Sequence, residues 1–274
     1  MVTHRIGASA AVFLAVCAVF GTALLTFVGM SLAGRRPRSA EMAQRGETLL
    51  LPLFLRDYWD WVITPVTRRL VAWRVDPDAI TWTSALVAAF AGGAYAAGWF
   101  GLGGWLYVLT GTLDMFDGKV ARATGRVSRA GAFVDSTLDR YTELFVLGGL
   151  AWHFRESLIH WAAVAAMAGS LMVSYTRARG EGLGFSCREG GMQRAERIAS
   201  LGLAGIFGKL TEAFFPASQA SGRLVAGAVV LVAISSNVTS LQRFASIRRA
   251  LRAQATAEDD ASVLRHPAAR QRQG

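Results

Sequence analysis

The sequence predicts an all-α protein that crosses a membrane several times, and three observations carry that reading. Of its 274 residues, 53% are hydrophobic and only 18% are charged, against about 25% charged in a typical soluble domain. The apolar residues gather into runs close to the roughly 20 residues of helix that cross a hydrocarbon core about 30 Å thick. The basic residues gather in the gaps between those runs, and all but Lys119 and Lys209 are arginine.

Seven apolar runs stand out, at about 7–33, 80–100, 102–119, 131–152, 158–176, 196–215 and 222–242. The first exceeds the 7–15 residues of a signal-peptide core. Arg35, Arg36 and Arg38 follow it and resist translocation, so it reads as a true membrane helix. Between the first and second runs, residues 53–75 mix Trp59, Trp61, Trp73 and Tyr58 with charges at helical intervals. That pattern predicts an amphipathic helix lying in the interface, with Pro65 as a kink or restart. The chain therefore divides into an extra N-terminal transmembrane helix (1–34), a cytoplasmic linker with the interfacial helix (35–79), a six-helix membrane domain (80–242) and a basic tail (243–274). From about Ala253 the tail has little to bury and is expected to be disordered.

Arginine placement gives the orientation. The 34–79, 119–130 and 177–197 connections and the tail are arginine-rich, whereas the alternate connections are short and poor in positive charge. The positive-inside rule then puts the N-terminus outside the cell membrane and the C-terminus inside. The net charge of +10 fits cytoplasmic loops against anionic headgroups. No RNA-binding motif or sustained basic face with interleaved aromatics points to nucleic acid. Cys17 and Cys187 are far apart, the four histidines are scattered, and no HExxH occurs, which sets aside cysteine and histidine metal chemistry. Asn237-Val238-Thr239 matches a glycosylation acceptor but falls inside an apolar run.

One stretch contradicts its apolar surroundings: DMFDGKVARATGRVSRAGAFVDSTLD, from Asp114 to Asp139. Asp114, Asp117 and Ala121 share one helix face, as do Gly131, Asp135 and Asp139 at spacings of four. The polar, Gly-bearing ARATGRVSRAG between them reads as a cytoplasmic turn, so pairing of the two helices brings four carboxylates together. Each aspartate costs about 2.5–3.5 kcal/mol at a membrane helix centre. Like charges about 4 Å apart repel by roughly 4 kcal/mol at an effective dielectric of 20. Protonation or a bound cation relieves that repulsion. Oxygen ligands without His or Cys favour hard divalent ions such as Mg²⁺, Mn²⁺ or Ca²⁺, and four carboxylates suffice for two ions clamping a phosphoryl group. Gly118 leaves room beside the backbone, Ala121 keeps the next turn small, and Arg122 suits a phosphate.

The pattern D114-x2-D117-G118-x2-A121-R122-x8-G131-x3-D135-x3-D139 resembles, at every fixed position, the motif of the CDP-alcohol phosphatidyltransferase family. The motif itself is 26 residues long, and a looser likeness to the family's six-helix core with a preceding amphipathic helix runs from about 50 to 242. The run at 7–33 is additional to that core. The resemblance implies that Asp114, Asp117 and Asp135 hold divalent metal (two Mg²⁺ or Mn²⁺ ions) and, through it, the diphosphate of CDP-diacylglycerol. Asp139 is implied as the base for the acceptor hydroxyl and as a further metal contact. Gly118, Ala121 and Gly131 would shape the cytidine pocket, with Arg122 near the diphosphate. A second, shorter family motif, P-N-x-[IL]-T, corresponds to Pro77-Asp78-Ala79-Ile80-Thr81. Thr81 keeps its place near the nucleotide, and Asp78 replaces the usual asparagine.

The 175–197 stretch, YTRARGEGLGFSCREGGMQRAER, is similar to the acceptor loop of the phosphatidylinositol-phosphate synthase branch. By that similarity Arg177, Arg179, Arg194 and Arg197 bind the phosphate of a small phosphorylated alcohol, inositol phosphate foremost. Glycerol 3-phosphate is the nearest competitor, ahead of free inositol, serine or another polyol. The family also implies a homodimer. Two other classes compete: an ion-coupled transporter using its intramembrane acids, and an inactive scaffold of the same fold. A transporter leaves Gly118, Ala121, Arg122 and Gly131 without a role. An inactive scaffold has no reason to keep all four acids.

Overall fold

The computed structural model describes residues 19–35, 52–185 and 191–265. Every regular element among them is helical: α1 Val19–Leu32, α2 Leu53–Ala72, α3 Pro77–Ala96, α4 Phe100–Thr124, α5 Arg129–His153, α6 Ile159–Gly182, α7 Arg194–Phe214, a 3₁₀ turn at Pro216–Ser218, and α8 Ala220–Arg265. The six runs expected between 80 and 242 correspond one to one with α3–α8. The first part of the N-terminal run, with Cys17, lies outside the described residues, as do Arg36, Arg38, Cys187 and Arg188.

The helix ends follow from local chemistry. Asp76 caps α3, accepting from the backbone N–H of Asp78, and Pro77 occupies the first helical position, where no N–H is needed. α4 stops at Gly125, whose φ of 68° is a left-handed conformation that glycine adopts without a Cβ penalty. Three residues later Ser128 opens α5 by accepting the Gly131 N–H at 2.9 Å. Gln193 and Glu196 form a reciprocal capping box at the start of α7, which satisfies two otherwise orphaned donors.

Packing closes α3–α8 into a ring: α3 on α4, α4 on α7, α7 on α8, α8 on α6, α6 on α5, and α5 back on α3. Consecutive α4 and α5 were expected to pair directly. They pack on α3 instead of on each other, so α3 bridges them. Glycines permit the close crossings. A Cβ on Gly149 of α5 would run into the Gly92 carbonyl of α3, and one on Gly104 of α4 would meet the Gly202 carbonyl of α7. Small residues at such crossings are how helices approach where lipid supplies no hydrophobic drive. The interior holds Tyr95, Tyr107, Leu147, Leu150, Leu201 and Val229, and the Tyr95 hydroxyl donates to the Leu201 carbonyl at 3.0 Å.

Outside the ring the apolar side chains face outward. Trp82, Phe90 and Trp161 are each 60% or more exposed, a surface that a water-soluble monomer would not leave uncovered. α3 and the Ala220–Thr256 part of α8 are long and apolar enough to cross a membrane.

α2 is one continuous helix with Pro65 inside it, so the chain does not restart there. It docks on α4 through Ile63, Phe116 and Val120 and an ion pair between Asp60 and Lys119 at 2.5 Å. α1 in turn leans on α2, with Phe27 fully buried against Phe54, Tyr58 and Trp61. The tail differs from expectation as well: α8 continues as helix to Arg265. Its sequence after Gln242 has no glycine or proline before Pro267 and is rich in Ala, Arg and Leu, which are strong helix formers without any packing partner.

Candidate active site

The acids lie where α4 ends and α5 begins. Asp114, Asp135 and Asp139 each bring one carboxylate oxygen within 4.8 Å of the others. Two oxygens on one ion are separated by at most about 4–5 Å when each bond is roughly 2.0–2.6 Å. The trio therefore fits a hard divalent cation. Asp117 is only 5% exposed and is not part of the trio. It accepts from the Thr81 hydroxyl at 2.8 Å and from the Gly118 backbone N–H. Thr81, expected near a nucleotide, thus orients an acid from the neighbouring helix α3.

The smaller motif positions keep backbone and ligand space open. The Arg122 guanidinium folds back over Gly118, where a Cβ would lie 3.2 Å from Nη1. At Gly131 a Cβ would lie 3.1 Å from Ser128 Oγ and 3.4 Å from Asp78 Oδ1. Gly131 therefore brings the α3 and α5 starts close together. Ala121 is half-buried on the same side of α4 as the acids. Lys119 turns to Asp60 of α2, and Arg140 donates to the Ser136 carbonyl.

The four arginines of the expected acceptor loop have different fates. Arg194, the first residue of α7, reaches the acids: its Nη1 lies 2.5 Å from Asp114 Oδ2 and 2.6 Å from Asp139 Oδ1. Its Nη2 donates to Thr142 Oγ1 at 3.0 Å. Arg197 turns inward. It is 2% exposed, donating from Nε and Nη2 to Glu143 Oε1 at 3.2 and 2.5 Å and from Nη1 to the Met192 carbonyl at 3.0 Å. Arg177 is exposed and paired with Glu181 at 2.9 Å, and Arg179 is exposed on the last turn of α6.

Thr142 and Glu143 are additions that the sequence reading missed. Glu143 continues the Gly131, Asp135, Asp139 spacing by one more step of four, so the signal was present in the periodicity. At 3% exposure, Glu143 carries the charge that lets Arg197 be buried.

Residues 74–219, more than half of the chain, match the sequence pattern of the CDP-alcohol phosphatidyltransferase family. The phosphatidylinositol phosphate synthase of Streptomyces avermitilis is 35% identical over 206 residues, covering 73% of this chain and 83% of that protein. The archaetidylinositol phosphate synthase of Methanothermobacter thermautotrophicus is 35% identical over 182 residues, covering 66% and 86%. Among solved structures, Mycobacterium tuberculosis phosphatidylinositol phosphate synthase with CDP-DAG bound superposes with a TM-score of 0.59 at 25% identity, over 68% of this chain and 93% of that one. A second structure of the same enzyme is in complex with manganese and citrate. This chain belongs to the CDP-alcohol phosphatidyltransferase family.

Proposed function

We propose that the protein transfers a phosphatidyl group from CDP-diacylglycerol to a hydroxyl of an inositol phosphate and releases CMP. The observation that carries this is the meeting, at one end of α4, α5 and α7, of three clustered carboxylates with an arginine from the acceptor loop. The name of the Streptomyces relative and the CDP-DAG-bound neighbour support that donor, and the names of both relatives support an inositol phosphate acceptor.

Each side chain has a part in that reaction. Asp139 accepts the proton of the acceptor hydroxyl; the acceptor oxygen then forms a bond to the lipid-bearing phosphorus as the bond to CMP breaks. Asp114, Asp117 and Asp135, with Asp139, are the residues that would hold two Mg²⁺ or Mn²⁺ ions. Such ions, when bound, neutralise the diphosphate and stabilise the leaving phosphate. Thr81 fixes the Asp117 carboxylate. Gly118, Ala121 and Gly131 leave room for the cytidine, and Arg122 pairs with the diphosphate. Arg194 takes the acceptor phosphate, with the exposed Arg177 and Arg179 at the approach. Arg197 holds the base of the loop instead, because its donors are committed to Glu143 and Met192. The site opens to the cytoplasm of the cell membrane, with α1 as part of an additional N-terminal span, the N-terminus outside, the C-terminus inside, and the chain paired as a homodimer.

The test is CMP release by the purified protein from CDP-diacylglycerol, with inositol phosphate, glycerol 3-phosphate, inositol and serine supplied one at a time. Inositol phosphate is expected to react fastest. Chelation is expected to stop the reaction, and Mg²⁺ or Mn²⁺ to restore it. Asp139→Asn is expected to lower the rate by about 10²–10⁴-fold while still binding donor. Faster release with glycerol 3-phosphate would replace the acceptor, and release by no acceptor would overturn the reading.

A further inference from the structure

Arg194 and Arg197 lie within one turn of each other on α7 and are bound in contrasting ways. Arg197 is 2% exposed, and its Nε, Nη1 and Nη2 all donate hydrogen bonds. The Arg194 side chain is 17% exposed. Its Nε is buried without a hydrogen bond, and Glu143 Oε1 lies 4.0 Å from it. Its strongest contacts are the two from Nη1, to Asp114 Oδ2 at 2.5 Å and Asp139 Oδ1 at 2.6 Å. Both acids belong to the trio that can hold an ion.

Arg194 Nη1 stands at metal–oxygen distance, roughly 2.0–2.6 Å, from one oxygen of each acid, so it fills the position of an ion bridging those two oxygens, and two cations held there repel each other. The charges point the same way. Asp114, Asp117, Asp135 and Asp139 sum to four negative charges, which two divalent ions balance on their own. The positive charge of Arg194 is then surplus to the acids and free for an anion.

We propose that Arg194 is a displaceable internal counter-cation. It offsets part of the charge of Asp114 and Asp139 until divalent metal binds them, and the released guanidinium, still anchored through Thr142, then meets the phosphate of the acceptor. This rests on the metal-dependent reading above. It adds an order to that reading: metal loading assembles the acceptor subsite, and the two binding steps are coupled. By linkage, each then strengthens the other by the same factor.

The experiment is a Mn²⁺ titration of the purified protein in nanodiscs, with free Mn²⁺ read by electron paramagnetic resonance. The wild type is compared with Arg194→Gln and Arg194→Lys. Arg194→Gln removes the competitor and is expected to bind Mn²⁺ about tenfold tighter, within the usual range of coupling between sites. A lysine reaches one acid rather than two, so Arg194→Lys is expected to fall between that variant and the wild type. It also keeps a charge at the site should the glutamine variant fail to fold. In parallel, calorimetric binding of inorganic phosphate to the wild type is expected to tighten at least about fivefold when Mn²⁺ is present. Arg194→Lys should show a smaller gain. Unchanged or weaker Mn²⁺ binding in the variants would overturn the proposal and make Arg194 a fixed strut for the acids. Equal phosphate binding with and without Mn²⁺ would overturn it too. Absence of Mn²⁺ binding to the wild type would instead remove the metal-dependent reading itself, and this inference with it.

Discussion

Glu143 and Arg197 form a deeply buried ion pair, at 3% and 2% exposure. The arginine is stable there because the carboxylate and the Met192 carbonyl satisfy its donors. Breaking such a pair from one side leaves an uncompensated charge in a place that water does not reach. Glu143→Ala is therefore expected to destabilise the protein by about 3–5 kcal/mol, seen as a large drop in melting temperature in detergent. Glu143→Gln keeps an acceptor for the guanidinium and should cost less. Arg197 was legible in the sequence only as one more arginine in a cytoplasmic loop. Composition places such arginines near a membrane surface, but it cannot say which of them turns inward. That depends on where α7 starts relative to α5, a tertiary distance that no local pattern encodes.

At the scale of the helices, the close crossing of α3 and α5 sets the distance between the two halves of the aspartate motif. Gly92 and Gly149 meet backbone to backbone, so any side chain there forces the helices apart. Gly149→Val is expected to destabilise the fold by about 3 kcal/mol or more. It should also weaken Mn²⁺ binding, because Asp135 and Asp139 ride on the displaced helix. Thermal unfolding and metal titration would read the two effects separately. The helices themselves were legible, since each of the apolar runs from 80 to 242 has a length and composition that permit only one regular structure in lipid. The faces carrying Asp114, Asp135 and Asp139 were legible from spacing alone. The partner of each helix was not. Chain order suggested α4 against α5, whereas glycine-lined crossings put α3 between them. The length of α8 was misjudged because a segment with nothing to bury was equated with disorder, although its alanines, leucines and arginines favour helix by themselves.

For the whole molecule, the ring of six helices joins residues far apart in sequence into one candidate site: Thr81 from α3, the acids from α4 and α5, and Arg194 from α7. The family motif marked the acids, and the ring explains how a residue more than 50 positions downstream reaches Asp139. The outward apolar surface of the ring, with Trp82, Phe90 and Trp161 exposed, has one further consequence. A lipid-linked donor is expected to reach the protein within the bilayer plane, and a water-soluble acceptor from the aqueous phase. The concentration the enzyme senses is then two-dimensional for one substrate and three-dimensional for the other. Diluting CDP-diacylglycerol with inert lipid at constant total amount is expected to lower the rate of CMP release in proportion to its mole fraction. Adding more vesicles of fixed composition should leave the rate per protein unchanged. Expressing the protein in a cell with a larger membrane area would therefore slow it without altering the number of donor molecules.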